Sequence, residues 1–209
     1  MALRLPRFYA ILDSALRSDL GVKELARLLA HAGVKLVQLR HKQALSGELL
    51  SQALELLAAL PATTKLIVND RADVAVLAGA AGVHLGQQDL PVAAARTLLG
   101  PEKLLGLSTH SVQQVKAAAA SACDYIGFGP VFATASKDRP APVVGCEGLR
   151  EARKLTDKPL VAIGGITPEN APEVLAAGAD SVAVISAWLA ADDIPARLEA
   201  FRSALGRLD

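Results

Sequence analysis

Two aspartates, Asp70 and Asp89, stand just beyond short apolar runs, and two cations, Arg40 and Lys42, stand beyond another. Carboxylates brought to one rim from adjacent strand ends are hard oxygen ligands. Together with substrate phosphates they suit Mg2+, which retains waters and needs few protein ligands. Arg40 and Lys42 alternate along an extended segment and so share one face. Arg grips phosphate oxygens bidentately, whereas Lys acts as a point charge. Lys137, on a later loop, is a third candidate cation. Gly164-Gly165 and Ile185-Ser186 follow the last two apolar runs. Glycines in such places let backbone N–H groups approach an anion closely. The chemistry suggested is the handling of two phosphate groups, with a divalent cation at one of them.

Each residue also has a plainer role open to it. Asp70 reads equally as the N-cap of a helix from Arg71, and Asp89 as a turn residue before Pro91. Their pairing on neighbouring loops, beside Asn69 and Gln87, favours a metal. The glycine pair would also serve a tight strand-to-helix turn, and most Arg and Lys are solvated surface charge. His84 closes an apolar strand, which suits either a place in a binding mouth or a hydrogen-bonded structural role. His41 and His110 are less specific, and His31 reads as surface. No Ser-His-Asp order, nucleophile elbow, dinucleotide fingerprint or G-x-x-x-x-G-K-[ST] loop is present. Trp188 and the few other aromatics read as core or rim, so no nucleic-acid partner is expected.

The elements that must position these residues recur every twenty to thirty residues. Strands are expected at Phe8–Leu12, Leu36–Leu39, Lys65–Val68, Val83–Leu85, Leu104–Leu107, Tyr125–Phe128, Leu160–Ile163 and Ser181–Ile185. Helical spacing fills the gaps: Gly21–Ala32, Ser46–Leu60 with Ser46 as cap, Ala72–Ala80 stopping at Gly82, Pro91–Leu99, Ser111–Ala120, Glu147–Leu155, Pro168–Ala177 and Asp193–Leu205. Gly129–Val144 is the longest loop. Strict alternation of strand and helix, with near-continuous apolar strands, predicts a single-domain α/β (β/α)8 TIM barrel spanning residues 1–209. In such barrels the strand ends at the carboxyl side build the site, and the last two loops hold phosphate.

Composition agrees with this architecture. The chain has 209 residues, 52% hydrophobic and 3% aromatic, so Ala, Leu, Val and Ile must fill its core. A net charge of +1 argues against a general polyanion binder, so affinity for phosphate must come from local placement. Cys123 and Cys146 lack metal-ligand spacing and read as free thiols of a reducing compartment. No signal peptide or membrane-length apolar run is apparent, so a cytoplasmic location without membrane association is the expectation. A homodimer is the commonest assembly for such a barrel.

The clusters QLRHK (38–42), NDR-x-D-V-A (69–75), GVHLGQQDLP (82–91), LGLSTHS (105–111), GFGPVFATASK (127–137), AIGGITPEN (162–170) and SVAVISA (181–187) carry the reading further. In order and spacing, over nearly the whole chain, they resemble the thiamine phosphate synthase family. The resemblance implies a transferase of thiamine biosynthesis. It would join 4-amino-2-methyl-5-hydroxymethylpyrimidine diphosphate to 4-methyl-5-(2-hydroxyethyl)thiazole phosphate, yielding thiamine phosphate and diphosphate. It implies that Gln38, Leu39, Arg40, His41, Lys42 and Asn69 meet the pyrimidine diphosphate, with His84 nearby. Asp70 and Asp89 would hold Mg2+. Ser108 and Lys137 would reach the diphosphate or the pyrimidine, and Arg40, Lys42, Ser108 and Lys137 would be the catalytic set. Thr134, Ala135 and Ser136 would line the thiazole, and Gly165, Ile185 and Ser186 would cradle its phosphate. Ser136 stands where the family commonly has Thr, and it keeps the hydroxyl.

The family's TenI-like thiazole tautomerase relatives share the fold, lose part of the diphosphate set and carry a histidine after the sixth strand. Here that segment reads Gly129-Pro130-Val131 and both aspartates are present, which favours the synthase. A non-catalytic phosphate binder would show erosion of the charged set, and that set is complete.

Overall fold

A computed structural model describes residues 3–134 and 141–208. Along them run β1 (Phe8–Asp13), α1 (Val22–His31), β2 (Leu36–Arg40), α2 (Ser46–Ala59), β3 (Lys65–Asn69) and α3 (Ala72–Ala78). Then come β4 (Gly82–Leu85), α4 (Val92–Leu99), β5 (Leu104–Thr109), α5 (Val112–Ala119), β6 (Tyr125–Phe128) and α6 (Gly145–Arg153). The chain closes with β7 (Leu160–Ile163), α7 (Ala171–Ala176), β8 (Ser181–Val184), α8 (Ser186–Leu189) and α9 (Ile194–Leu205). Every strand pairs in parallel with the next, and β8 pairs with β1, so the sheet closes. This is the TIM barrel that the alternation predicts.

Strand alternation divides the core into two shells. Val37 and Leu39 of β2 face the helices, in a cluster with Leu25, Leu29, Leu56 and Phe201. Leu36 of the same strand faces the barrel axis, among Tyr9, Ile67, Tyr125 and Val161. The outer shell is aliphatic and welds helices to sheet. The inner shell admits polar side chains among its apolar ones, and those turn toward the mouth.

β6 and β7 match expectation. Several other strands run one or two residues further toward their carboxyl ends, so that Asp13, Arg40, Asn69 and Ser108 sit on rigid strand backbone. Some boundaries need correction. α3 stops at Gly79 (φ 74°), whose N–H bonds the Val76 carbonyl at 3.1 Å. Gly82 instead opens β4, where a Cβ would run into the backbone of Leu104. Ser46 is the first residue of α2 and not its cap; Leu45 holds that position, and Ser46 Oγ accepts from Arg71 Nη2 at 2.9 Å. α7 begins at Ala171, because Asn170 Oδ1 accepts the Thr167 N–H at 2.8 Å and folds the preceding residues into a turn. The single turn of α8 was not expected. Ser111 does cap α5, accepting from the Gln114 N–H at 3.3 Å. Cys123 and Cys146 are free and buried. Among the described residues no helix is long and apolar enough to cross a membrane.

Candidate active site

All strands point the same way, so their carboxyl ends form one mouth. β2 brings Gln38 and Arg40 to its inner wall, in the same cavity lining as Asn69, His84 and Ser108. Asp13, the register partner of Arg40, forms an ion pair with its guanidinium. Asp13 is 3% exposed, so this pair is shielded from solvent and holds Arg40 against the wall. Nothing in the sequence singles out Asp13 except its place at the end of an apolar run.

Asp70 follows β3 with φ 61°, the sole non-glycine residue with positive φ among the described residues. Such a conformation costs about 1 kcal/mol or more and persists where its surroundings fix it. Two contacts do so here. The Asp70 N–H donates to the His84 carbonyl at 2.8 Å, and Lys42 Nζ donates to Asp70 Oδ2. Asp70 is therefore not the cap of α3; Arg71 holds that position. Asp89, beyond β4, accepts the Gly86 N–H at 2.6 Å. Its carboxyl is pushed above the ordinary carboxylate range, first by burial and then by the hydrogen-bonding approach of the Asp70 carboxyl, against the pull of the Gly86 N–H. The two carboxyls are thus neighbours. Two neighbouring carboxyls, with Lys42 paired to Asp70, fit a hard divalent cation that keeps waters. Among the described residues no group of three or more His, Cys, Asp or Glu side chains could hold a metal ion.

Deeper in the barrel, His84 connects two groups. Its Nε2 lies 2.8 Å from Ser108 Oγ and its Nδ1 lies 3.1 Å from the Tyr125 hydroxyl. Gln38 Nε2 donates to the Tyr9 hydroxyl at 2.8 Å. Tyr9 and Tyr125 were not foreseen as site residues, since apolar strand runs give no register across the barrel.

A second chamber of about 260 Å³ opens between the ends of β6, β7 and β8. Thr134, Gly165, Ile185 and Ser186 line it. Gly164 and Gly165 have φ of 101° and 64°. A Cβ on Gly165 would lie 2.5 Å from the Ala133 carbonyl oxygen and 2.7 Å from Phe132 Cβ. The glycine pair therefore serves a tight turn under the β6–α6 loop as well as baring the backbone. Ser186 opens α8. His110 also lines this chamber, with Nδ1 donating to the Gly129 carbonyl at 2.7 Å. His110, Ile163, Ala183 and Ile185 border both the chamber and the β2–β5 wall, so the two spaces adjoin.

The side chains of two expected contact residues do not face the mouth. Leu39 is fully buried among helix-facing residues, so its side chain cannot touch a ligand there. His41 turns toward α2, with Nε2 3.9 Å from Glu48 Oε1. The period-two alternation that sends Arg40 inward sends both neighbours outward. Ala135, Ser136 and Lys137 lie outside the described residues.

The chain is similar to known proteins over most of its length. Residues 8–188 match the family model described as thiamine monophosphate synthase. A thiamine-phosphate synthase of Koribacter versatilis is 51% identical, covering 88% of this chain and 89% of its own. One from Methanoculleus marisnigri is 45% identical over 93% of this chain and 92% of its own. The solved thiamine phosphate pyrophosphorylase of Pyrococcus furiosus superposes with a TM-score of 0.86 at 34% identity, covering 96% of this chain and 95% of its own. A closed barrel with paired carboxylates over one wall and a glycine-lined chamber beside it, together with relatives of this closeness, means that the chain belongs to the thiamine-phosphate synthase family of transferases.

Proposed function

We propose that the mouth joins 4-amino-2-methyl-5-hydroxymethylpyrimidine diphosphate to 4-methyl-5-(2-hydroxyethyl)thiazole phosphate, releasing thiamine phosphate and diphosphate. One juxtaposition carries this reading. The Asp70–Asp89 pair with Lys42 stands at the same barrel end as a separate chamber walled by Gly165, Ile185 and Ser186. One centre suits a diphosphate with its cation, the other a monophosphate ester. The cavity along Gln38, Arg40 and Asn69, where the pyrimidine would lie, shares Ile163 and Ile185 with that chamber, so the reacting ends could meet there.

Gln38, Asn69 and Ser108 on the inner wall would orient the pyrimidine. Arg40 and Lys42, with Lys137 from the β6–α6 loop, would grip the diphosphate oxygens. Thr134 and Ser136 would border the thiazole. Asp70 and Asp89 would hold Mg2+, which when bound stabilises negative charge on the leaving diphosphate.

The aminopyrimidine ring donates electrons toward its exocyclic methylene. The C–O bond to diphosphate breaks with its electron pair leaving on oxygen, and the thiazole nitrogen lone pair forms the new C–N bond. The bond forms between the two substrates, and no protein atom bonds to carbon. The chain's task is to bind charge where it accumulates, keep water from an electron-poor methylene, and hold the thiazole nitrogen in line. Arg40, fixed by Asp13, offers its donors without reorganising at the moment of bond cleavage.

The test is product analysis. With Mg2+ and both substrates, diphosphate and thiamine phosphate should appear in equal amounts, and neither substrate alone should yield thiamine phosphate. Absence of thiamine phosphate from the complete mixture would refute the reading.

A further inference from the structure

A line of polar side chains from different strands crosses the barrel interior. Gln38 Nε2 meets Tyr9 Oη at 2.8 Å, and Tyr9 Oη meets Tyr125 Oη at 3.0 Å. Tyr125 Oη meets His84 Nδ1 at 3.1 Å, and His84 Nε2 meets Ser108 Oγ at 2.8 Å. Both tyrosines are fully enclosed. The strands leave room for this line at fixed places. Gly106 is the register partner of both His84 and Tyr125. A Cβ on Gly106 would collide with the Tyr125 hydroxyl and with His84 Nδ1, the two atoms of that bond. A Cβ on Gly127 would lie 3.1 Å from His84 Cε1.

Counting protons gives the line a direction. An amide nitrogen only donates, so the Tyr9 oxygen accepts from Gln38. A buried hydroxyl proton needs an acceptor, and the Tyr125 oxygen at 3.0 Å supplies one for Tyr9. Tyr125 accepts there and has one proton left, for His84 Nδ1. That nitrogen must be bare, so the imidazole proton is on Nε2 and goes to Ser108 Oγ. The Ser108 hydroxyl, accepting from behind, has its proton to give elsewhere. Burial raises both phenols above their ordinary range, so each keeps the proton it relays.

We propose that this relay runs one way, from Gln38 to Ser108, fixing His84 as the Nε2–H tautomer and making Ser108 a hydrogen-bond donor to a substrate acceptor atom in the mouth. Tyr9 and Tyr125 are positioning residues that act through His84. Only the last link, from Ser108 to substrate, rests on the function proposed above. A reversed Gln38 amide would reverse every link and leave Ser108 donating to His84, with only lone pairs facing outward.

The tautomer is read directly by 15N NMR of the full chain labelled in histidine, without ligand, with His84 assigned by the signals lost in His84→Gln. A protonated Nε2 and a bare Nδ1 are expected. In Gln38→Glu the carboxylate only accepts, so the relay should reverse and the tautomer should switch to Nδ1–H. Tyr125→Phe should give mixed tautomers and turnover lower by about tenfold, the loss of one oriented hydrogen bond. Its KM for the thiazole phosphate should not change. An Nδ1–H or mixed tautomer in the unmodified protein, or an unchanged tautomer in Gln38→Glu, overturns the relay. The expected tautomers with full turnover in Tyr125→Phe overturn the Ser108 donor. The expected tautomers in a protein that forms no thiamine phosphate overturn the function above and leave the relay standing.

Discussion

Asp13 at the end of β1 is paired in register and in charge with Arg40 at the end of β2. A carboxylate this buried depends on its partner. Arg40→Ala should therefore cost about 3–5 kcal/mol of stability by stranding the Asp13 charge. Adding Asp13→Asn to that variant should restore much of the stability and none of the turnover. Denaturant unfolding beside steady-state kinetics checks both halves. A double variant as unstable as Arg40→Ala would contradict the pairing.

Asp89 makes the opposite prediction for stability. Its carboxyl is held above the ordinary range by burial and by Asp70. A carboxyl raised in the folded state favours folding when protonated, and that contribution is lost as pH rises through the folded value. At neutral pH the metal-free protein therefore carries a cost, and Asp89→Asn should raise its melting temperature. Mg2+ should raise the melting temperature of the unmodified protein more than that of the variant. Equal responses to Mg2+ would count against a shared cation site.

Gly165→Ala places a Cβ against the Ala133 carbonyl and Phe132. The β6–α6 loop must shift, and the backbone donors facing the chamber shift with it. KM for the thiazole phosphate should rise by about tenfold or more, equivalent to roughly 1.4 kcal/mol, while KM for the pyrimidine diphosphate stays near its original value. Steady-state kinetics with each substrate varied in turn makes the comparison. A rise confined to the pyrimidine diphosphate would contradict the assignment of the chambers.

Much of this architecture is legible in the amino-acid order. Apolar runs separated by helical spacing dictate parallel strands, and parallel strands put Arg40, Asp70, Asp89, Gly165 and Ser186 at one end whatever their register. That is why carboxyls from separate loops can be paired on paper. Contacts between strands are another matter. Asp13 with Arg40, and Tyr9 with Tyr125, depend on stagger around a closed sheet, which no local pattern specifies. The side chains of Leu39 and His41 turn away from the mouth, as alternation from Arg40 already directs. The turn of α8 is too short to show a helical period. For Asp70, a place just before Arg71 suits a cap equally well, and only the backbone reveals its left-handed conformation.

The account rests on Asp70 and Asp89 acting together on one cation at the site of diphosphate departure. The most direct measurement is the rate of diphosphate release across a Mg2+ series, for the unmodified protein and for Asp89→Asn, with both substrates saturating. The account predicts saturable Mg2+ dependence in the first. In the second it predicts turnover lower by about a hundredfold, on the order of 3 kcal/mol of lost charge stabilisation, with a higher Mg2+ requirement. Superimposable curves for the two proteins would contradict it.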